Sequence, residues 1–222
     1  MPLAGHGLRP PALRRRAGRP QLKRDPLGRA TTAPFMLQIL LVRHGKPAFD
    51  DRTPVAGAAF ATWVRGYDEA SIDVTVSPPP SLRAQASAMG CVATSTLRRA
   101  CESAALLAPG RTFVREPLFA EAGTPSSIHL SLALAPRHWT LLSRVAWFCG
   151  WSHSAESLRE ARTRAHRAAE RLVELAREHG SVMLVGHGVM NTFISRALRR
   201  RGWHGSASGS AFWSVVALQR AA

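Results

Sequence analysis

From Leu37 onward, short apolar runs alternate with longer stretches in which apolar residues recur at three- and four-residue steps. The short runs predict strands at Leu37–Arg43, Cys91–Ser95, Thr112–Arg115, Ser181–Gly186 and Ala211–Leu218. The longer stretches predict helices at Val55–Gly66, Ser81–Met89, Leu97–Leu107, Pro136–Phe148, Ser157–His179 and Met190–Arg200. The clearest lies at Ser157–His179, where Leu158, Ala161, Ala165, Ala168, Leu172, Leu175 and Ala176 share one face. Ser157 and Glu160 have capping-box spacing at its start, and Gly180 closes it. Its Arg and Glu residues are expected to face solvent. Strands separated by helices predict an α/β domain with a mainly parallel central sheet flanked by helices on both faces.

Two of the strands end alike. Leu40-Leu41-Val42-Arg43-His44-Gly45 is echoed by Met183-Leu184-Val185-Gly186-His187-Gly188. In an open α/β sheet, ligands gather outside the carboxyl ends of the strands. The two imidazoles are therefore expected to meet at one sheet edge. A glycine after each histidine would let the chain turn sharply and bring backbone N–H groups near an anion. Arg43, at the end of an apolar strand, is costly to bury unless it faces an anion or a carboxylate.

A phosphoryl group presents three equatorial oxygens, so several donors must converge on it, and the planar fork of arginine suits this best. In Ser95-Thr96-Leu97-Arg98-Arg99-Ala100 a strand passes into a helix. One of Arg98 and Arg99 is expected to point inward there, aided by the helix N-terminus. A leaving alkoxide also needs a proton. Glu116 and Glu121 are the two carboxyls of the following segment, and the neighbouring Leu118 and Phe119 favour Glu121, since an apolar wall helps a carboxyl keep its proton.

Composition narrows the setting. No apolar run reaches 18 residues, so no membrane partner is expected. Cys91, Cys101 and Cys149 form no CxxC pair, which argues against a disulfide framework or a structural zinc site and fits a reducing, cytoplasmic compartment. The net charge of +16 is unevenly placed, because residues 1–35 hold eight Arg or Lys against the single acid Asp25. This Pro-, Gly- and Arg-rich stretch reads as a disordered basic tail, or as sequence preceding a true start at Met36; the domain is residues 36–222. In the insert Ala48–Pro80, Phe60, Trp63 and Tyr67 share a helical face, a pattern that usually serves packing, and the insert is expected to roof the site. Asp50, Asp51, Asp68, Glu69 and Asp73 lack metal-loop spacing and read as solvated, with one free to touch a polar substrate. Trp139, Trp147 and Trp151 read as packing residues.

Leu41-Val42-Arg43-His44-Gly45 resembles the Arg-His-Gly signature of the histidine phosphatase superfamily, in its phosphoglycerate mutase-like branch. Ser95-x-Leu97-x-Arg99-Ala100-x-x-Ser103-Ala104 resembles that family's second motif, Ala155-Glu156-Ser157-Leu158 its Gly-Glu-Ser element, and Val185-Gly186-His187-Gly188 its closing His-Gly motif. The resemblance runs in order from Met36 to about Arg200. It implies a phosphoglycerate mutase-like fold and a metal-independent, cofactor-free phosphatase acting on small phosphorylated molecules. His44 would be the nucleophile that becomes phosphohistidine, with Arg43, Arg99 and His187 holding the transferred oxygens and Glu121 as proton donor. The chain departs from the family wording at Lys46-Pro47-Ala48-Phe49-Asp50 and at Gly186, where Ser is frequent. These departures bear on substrate choice more than on chemistry.

Three other functions compete. A mutase would return the phosphoryl group to another hydroxyl of a phosphoglycerate, but family mutases tend to start Arg-His-Gly-Glu-Ser, which is not found here. A protein phosphohistidine or phosphoserine phosphatase tends to be shorter and more open. A non-enzymatic basic module binding anions or nucleic acid finds support only in Arg9–Arg29, so a nucleic-acid partner is not expected. Oligomeric state is left open.

Overall fold

Along the first strand, Leu37, Ile39 and Leu41 alternate with Leu40 and Val42, so both faces of its sheet must be covered. The computed structural model describes residues 36–222 except Ser154 and Ser208; the basic stretch 1–35 lies outside the described residues. Leu37, Ile39 and Leu41 enter one core cluster and Leu40 and Val42 the other. In chain order the elements are β1 (Met36–Arg43), β2 (Val55–Ala56), α1 (Gly57–Glu69), α2 (Pro80–Ala88), β3 (Cys91–Thr94), α3 (Arg98–Leu107) and β4 (Val114–Arg115). A 3-10 turn (Pro117–Phe119) follows, then β5 (Ala133–Leu134), α4 (Pro136–Phe148), α5 (Leu158–His179), β6 (Ser181–Gly186), α6 (Gly188–Arg199), β7 (His204–Ala207) and β8 (Val215–Ala221). The central sheet has the order β4-β3-β6-β1-β8-β7. Its first four strands are mutually parallel, β8 is antiparallel to both β1 and β7, and the predicted mainly parallel α/β sheet is what the chain forms.

Helix α5 shows how closely pattern dictates packing. The alanine and leucine face read from its spacing is buried, and the capping box of Ser157 and Glu160 is present. Alanine on that face lets α5 lie close to α6, and both join the Leu37–Ile39–Leu41 side of the sheet. On the opposite face Leu82, Ala86, Ala104 and Leu107 of α2 and α3 pack on Leu40 and Val42.

Several expectations change. The polar edge strand β7, His-Gly-Ser-Ala, and the small β2–β5 pair have no apolar alternation to announce them. The last strand begins at Val215 rather than Ala211, because Trp213 takes a φ of +62°, a left-handed conformation that no strand continues through. Trp139 and Trp147 are core residues, but Trp151 is half-exposed and stacks on His153. The polar residues of α5 are not all solvated either: Arg164 and Glu156 form a half-buried pair.

Candidate active site

Register brings the two His-Gly steps together. Parallel β1 and β6 pair Arg43 with Gly186 as their last rungs, and the His44 N–H donates to the Gly186 carbonyl at 3.0 Å. His44 and His187 therefore leave neighbouring strands side by side, with ring centroids 5.0 Å apart. The adjacent strand β3 ends at Thr94, and the next residue, Ser95, sets its hydroxyl 2.7 Å from Nε2 of His187. Three strand ends thus build one small cluster, at the sheet edge where an α/β fold collects ligands.

His44 is 2% exposed, and burial is the main force holding its pKa well below 6.5, followed by the nearby His187, Arg99 and Arg43. Its Nδ1 lies 2.7 Å from the Gly45 carbonyl, which can only accept, so Nδ1 carries the proton and Nε2 of the neutral ring bears a lone pair. His187 is fully buried, and burial, then Arg99 and Arg43, keeps it neutral as well. Arg43, His44, Arg99 and Glu121 line a cavity of about 730 Å³. His187 lies directly beside them, its ring against that of His44.

Of the two candidate arginines, Arg99 turns inward and is 1% exposed, whereas Arg98 is exposed and pairs with Glu102. Arg99 Nη1 donates to the carbonyls of Tyr67 and Asp68 at the end of α1, and Nη2 meets the Asp68 carboxylate at 3.2 Å. Asp68, read as solvated, is thus half-exposed and paired. The Tyr67 ring lies under the Arg99 guanidinium, and Phe212 lies under that of Arg43. Among the described residues seven buried polar side-chain atoms lack a partner, and three of them are Arg43 Nε, Arg99 Nε and His187 Nδ1. Buried donors are rarely left so unless a ligand satisfies them. Three such atoms beside one cavity leave donors that a bound anion could satisfy.

The glycines serve closeness rather than a special turn. A Cβ on Gly45 would stand 2.4 Å from the Trp213 ring, and one on Gly186 would stand 2.6 Å from Asn191 Oδ1. The second contact accounts for Gly at 186, because Asn191 fills that space while its Nδ2 donates to the Val42 carbonyl. Nor is the Gly45 N–H free for an anion; it donates to Ser103 Oγ, one helical turn after Arg99.

Glu121 reaches the cavity and Glu116 does not: Glu116 is paired with Arg171. The Glu121 carboxylate accepts from Met190 N–H at 3.0 Å and, more distantly, from Val189 N–H, in the first turn of α6. Two arginines that sequence reasoning missed clamp its loop. Arg164 donates to the carbonyls of Leu118, Ala120 and Glu121 and pairs with Glu156; Arg144 donates to those of Ala122 and Gly123. Burial lowers the Arg144 pKa, with Glu121 the strongest opposing charge. The only earlier hint was the Ala155-Glu156-Ser157 element. Arg164→Gln takes the ion-pair partner from the Glu156 carboxylate, which keeps the Gly123 N–H, and removes the donor from three carbonyls, at a cost of about 3 kcal/mol given their partial exposure. A fall in Tm of roughly 6–12 °C is expected for a domain of this size, and an unchanged melt would show that the clamp is idle.

Phe60 is core, as its face predicted, whereas Trp63 and Tyr67 line the cavity. Phe212 stands 5.7 Å from His44.

The α/β sheet thus gathers at its strand ends two neutral histidines, the buried Arg99 and the partly buried Arg43 beside one cavity. Residues 82–217, more than half of the chain, match the histidine phosphatase superfamily (branch 1), and the chain belongs to that family. The match takes in Arg99, Glu121 and His187 and begins beyond the Arg43-His44 strand and α1. Mycobacterial hydrolase 2 is similar in structure at 18% identity, over 83% of this chain and 82% of that one, with a TM-score of 0.54. The native mycobacterial glucosyl-3-phosphoglycerate phosphatase is similar at 19% identity, over 83% and 90%, with a TM-score of 0.52. These likenesses establish the shared fold. No curated protein matches the sequence. No described helix is long and apolar enough to cross a membrane.

Proposed function

We propose that the protein is a metal-independent phosphomonoesterase working through a phosphohistidine on His44. The reading is carried by the three buried, unpartnered nitrogens of Arg43, Arg99 and His187 around a neutral His44. Nε2 of His44 attacks phosphorus in line with the ester oxygen, and the P–O bond breaks as the N–P bond forms. The arginine Nε donors receive the equatorial oxygens. When the Ser95 hydroxyl donates to Nε2 of His187, Nδ1 of that ring carries a proton and donates to the phosphoryl group once it is bonded to His44. Glu121 gives its proton to the leaving alkoxide, then takes one from the water that cleaves the N–P bond and releases inorganic phosphate. A small phosphorylated substrate is its partner in this reading, in a cytoplasmic setting.

The nucleophile acts in its neutral form, and its folded pKa is depressed. Turnover should therefore persist as pH falls through 6.5 and disappear only at the lower value where His44 protonates. Steady-state hydrolysis of p-nitrophenyl phosphate across pH, with EDTA present, tests both statements. Activity that vanishes with EDTA, or an acid limb centred at or above 6.5, would contradict the mechanism.

A further inference from the structure

We infer, building on the phosphomonoesterase reading, that the preferred substrates are monoesters of long apolar alcohols whose chain runs out of the cavity along α4. A phosphoryl group at Arg43, His44 and Arg99 fills only one end of a cavity of about 730 Å³. The remaining walls include Trp63, Val64 and Tyr67 from α1, Phe148 from α4, and Val189 and Phe193 from α6. Trp63 and Tyr67 stack at 5.1 Å into a flat aromatic wall. Phe148 meets Phe193 edge-on at 6.4 Å and is itself 49% exposed, so the apolar lining continues to the mouth.

The lining does not stop there. On α4, Thr140, Arg144 and Phe148 recur every four residues and face the cavity. One row around the helix, Leu141 and Val145 are 61% and 55% exposed, and their four-residue step leads to Phe148 one turn further on; Trp151, just past the helix end, is exposed as well. An exposed apolar row of this kind on a soluble surface calls for a cover. Its continuity with the cavity wall through Phe148 identifies that cover as the substrate's own chain. The guanidinium of Arg144 donates to the Ala122 and Gly123 carbonyls, so these hydrogen-bonding needs are met within the protein. Arg137 and Arg196 also touch the cavity and support the opposing case, a leaving group with a second anion.

The test is kcat/KM for ethyl, hexyl and decyl phosphate, below their micellar concentrations, beside glycerol phosphate and 3-phosphoglycerate. Each methylene is expected to raise kcat/KM by about two- to fourfold while it contacts the walls. A flat series, or a preference for glycerol phosphate or phosphoglycerate over decyl phosphate, overturns the inference alone. Failure to hydrolyse any ester, p-nitrophenyl phosphate included, overturns the enzyme reading beneath it. In the double variant Leu141→Ser, Val145→Ser, whose changes are on the surface, the decyl-to-ethyl ratio should fall about tenfold, the equivalent of two or more methylenes. An unchanged ratio would remove the chain from α4.

Discussion

His44→Ala is expected to lower kcat for p-nitrophenyl phosphate by on the order of 10⁴ or more, the scale seen when a covalent nucleophile is deleted. The reason is positional. His44 Nδ1 is pinned to the Gly45 carbonyl, which leaves Nε2 as the attacking atom. His187 cannot substitute, since its Nε2 is engaged by Ser95 and its ring is fully buried. Wild-type enzyme quenched during turnover of a ³²P-labelled ester should hold label that survives base and is lost in acid, as a phosphoramidate bond requires. The variant should hold none. Residual activity within tenfold of wild type would end the assignment of His44, provided melting shows both proteins folded.

The second large effect concerns Arg99. Arg99→Ala is expected to reduce kcat/KM by roughly a thousandfold, and Arg99→Lys by about a hundredfold, because an ammonium keeps the charge but loses the planar fork. Arg99 also ties the carbonyl end of α1 to the site, so the alanine variant loses the seat of Tyr67 and Asp68 as well as an anion donor. Comparing the two variants separates these roles. A loss below tenfold in Arg99→Ala would reduce Arg99 to a clasp for α1.

Much of this site could be read in advance, for physical reasons. β1 and β6 are buried on both faces, so their apolar runs are long and end sharply, and each sharp end exposes a polar group at the place where the sheet binds ligands. That is why Arg43, His44 and His187 stood out. Arg99 was readable because the same edge needs a strand-to-helix passage. Glu121 was a choice between two carboxyls, made from its apolar neighbours Leu118 and Phe119, and the other, Glu116, is held by Arg171. Arg144 and Arg164 were not readable. Each sits on an amphipathic helix among other arginines, and only the path of the 118–123 loop across those helices distinguishes the clamp from a solvated charge. Asp68 was missed for a related reason: its partner arrives from another helix, and local spacing carries no sign of it. The loop with Phe212 and Trp213 read as strand because its aromatic residues favour extended chain. What bends it is the demand that Trp213 settle over a position with no side chain.

That demand has a consequence for engineering. With the indole of Trp213 occupying the volume that any larger residue at Gly45 would claim, the nucleophile's strand and the far C-terminal hairpin behave as the two halves of a mould. Transplanting the Arg43-His44 edge into a related scaffold would distort it unless residues 209–214 travelled too, and enlarging either half by itself would push the imidazole out of alignment.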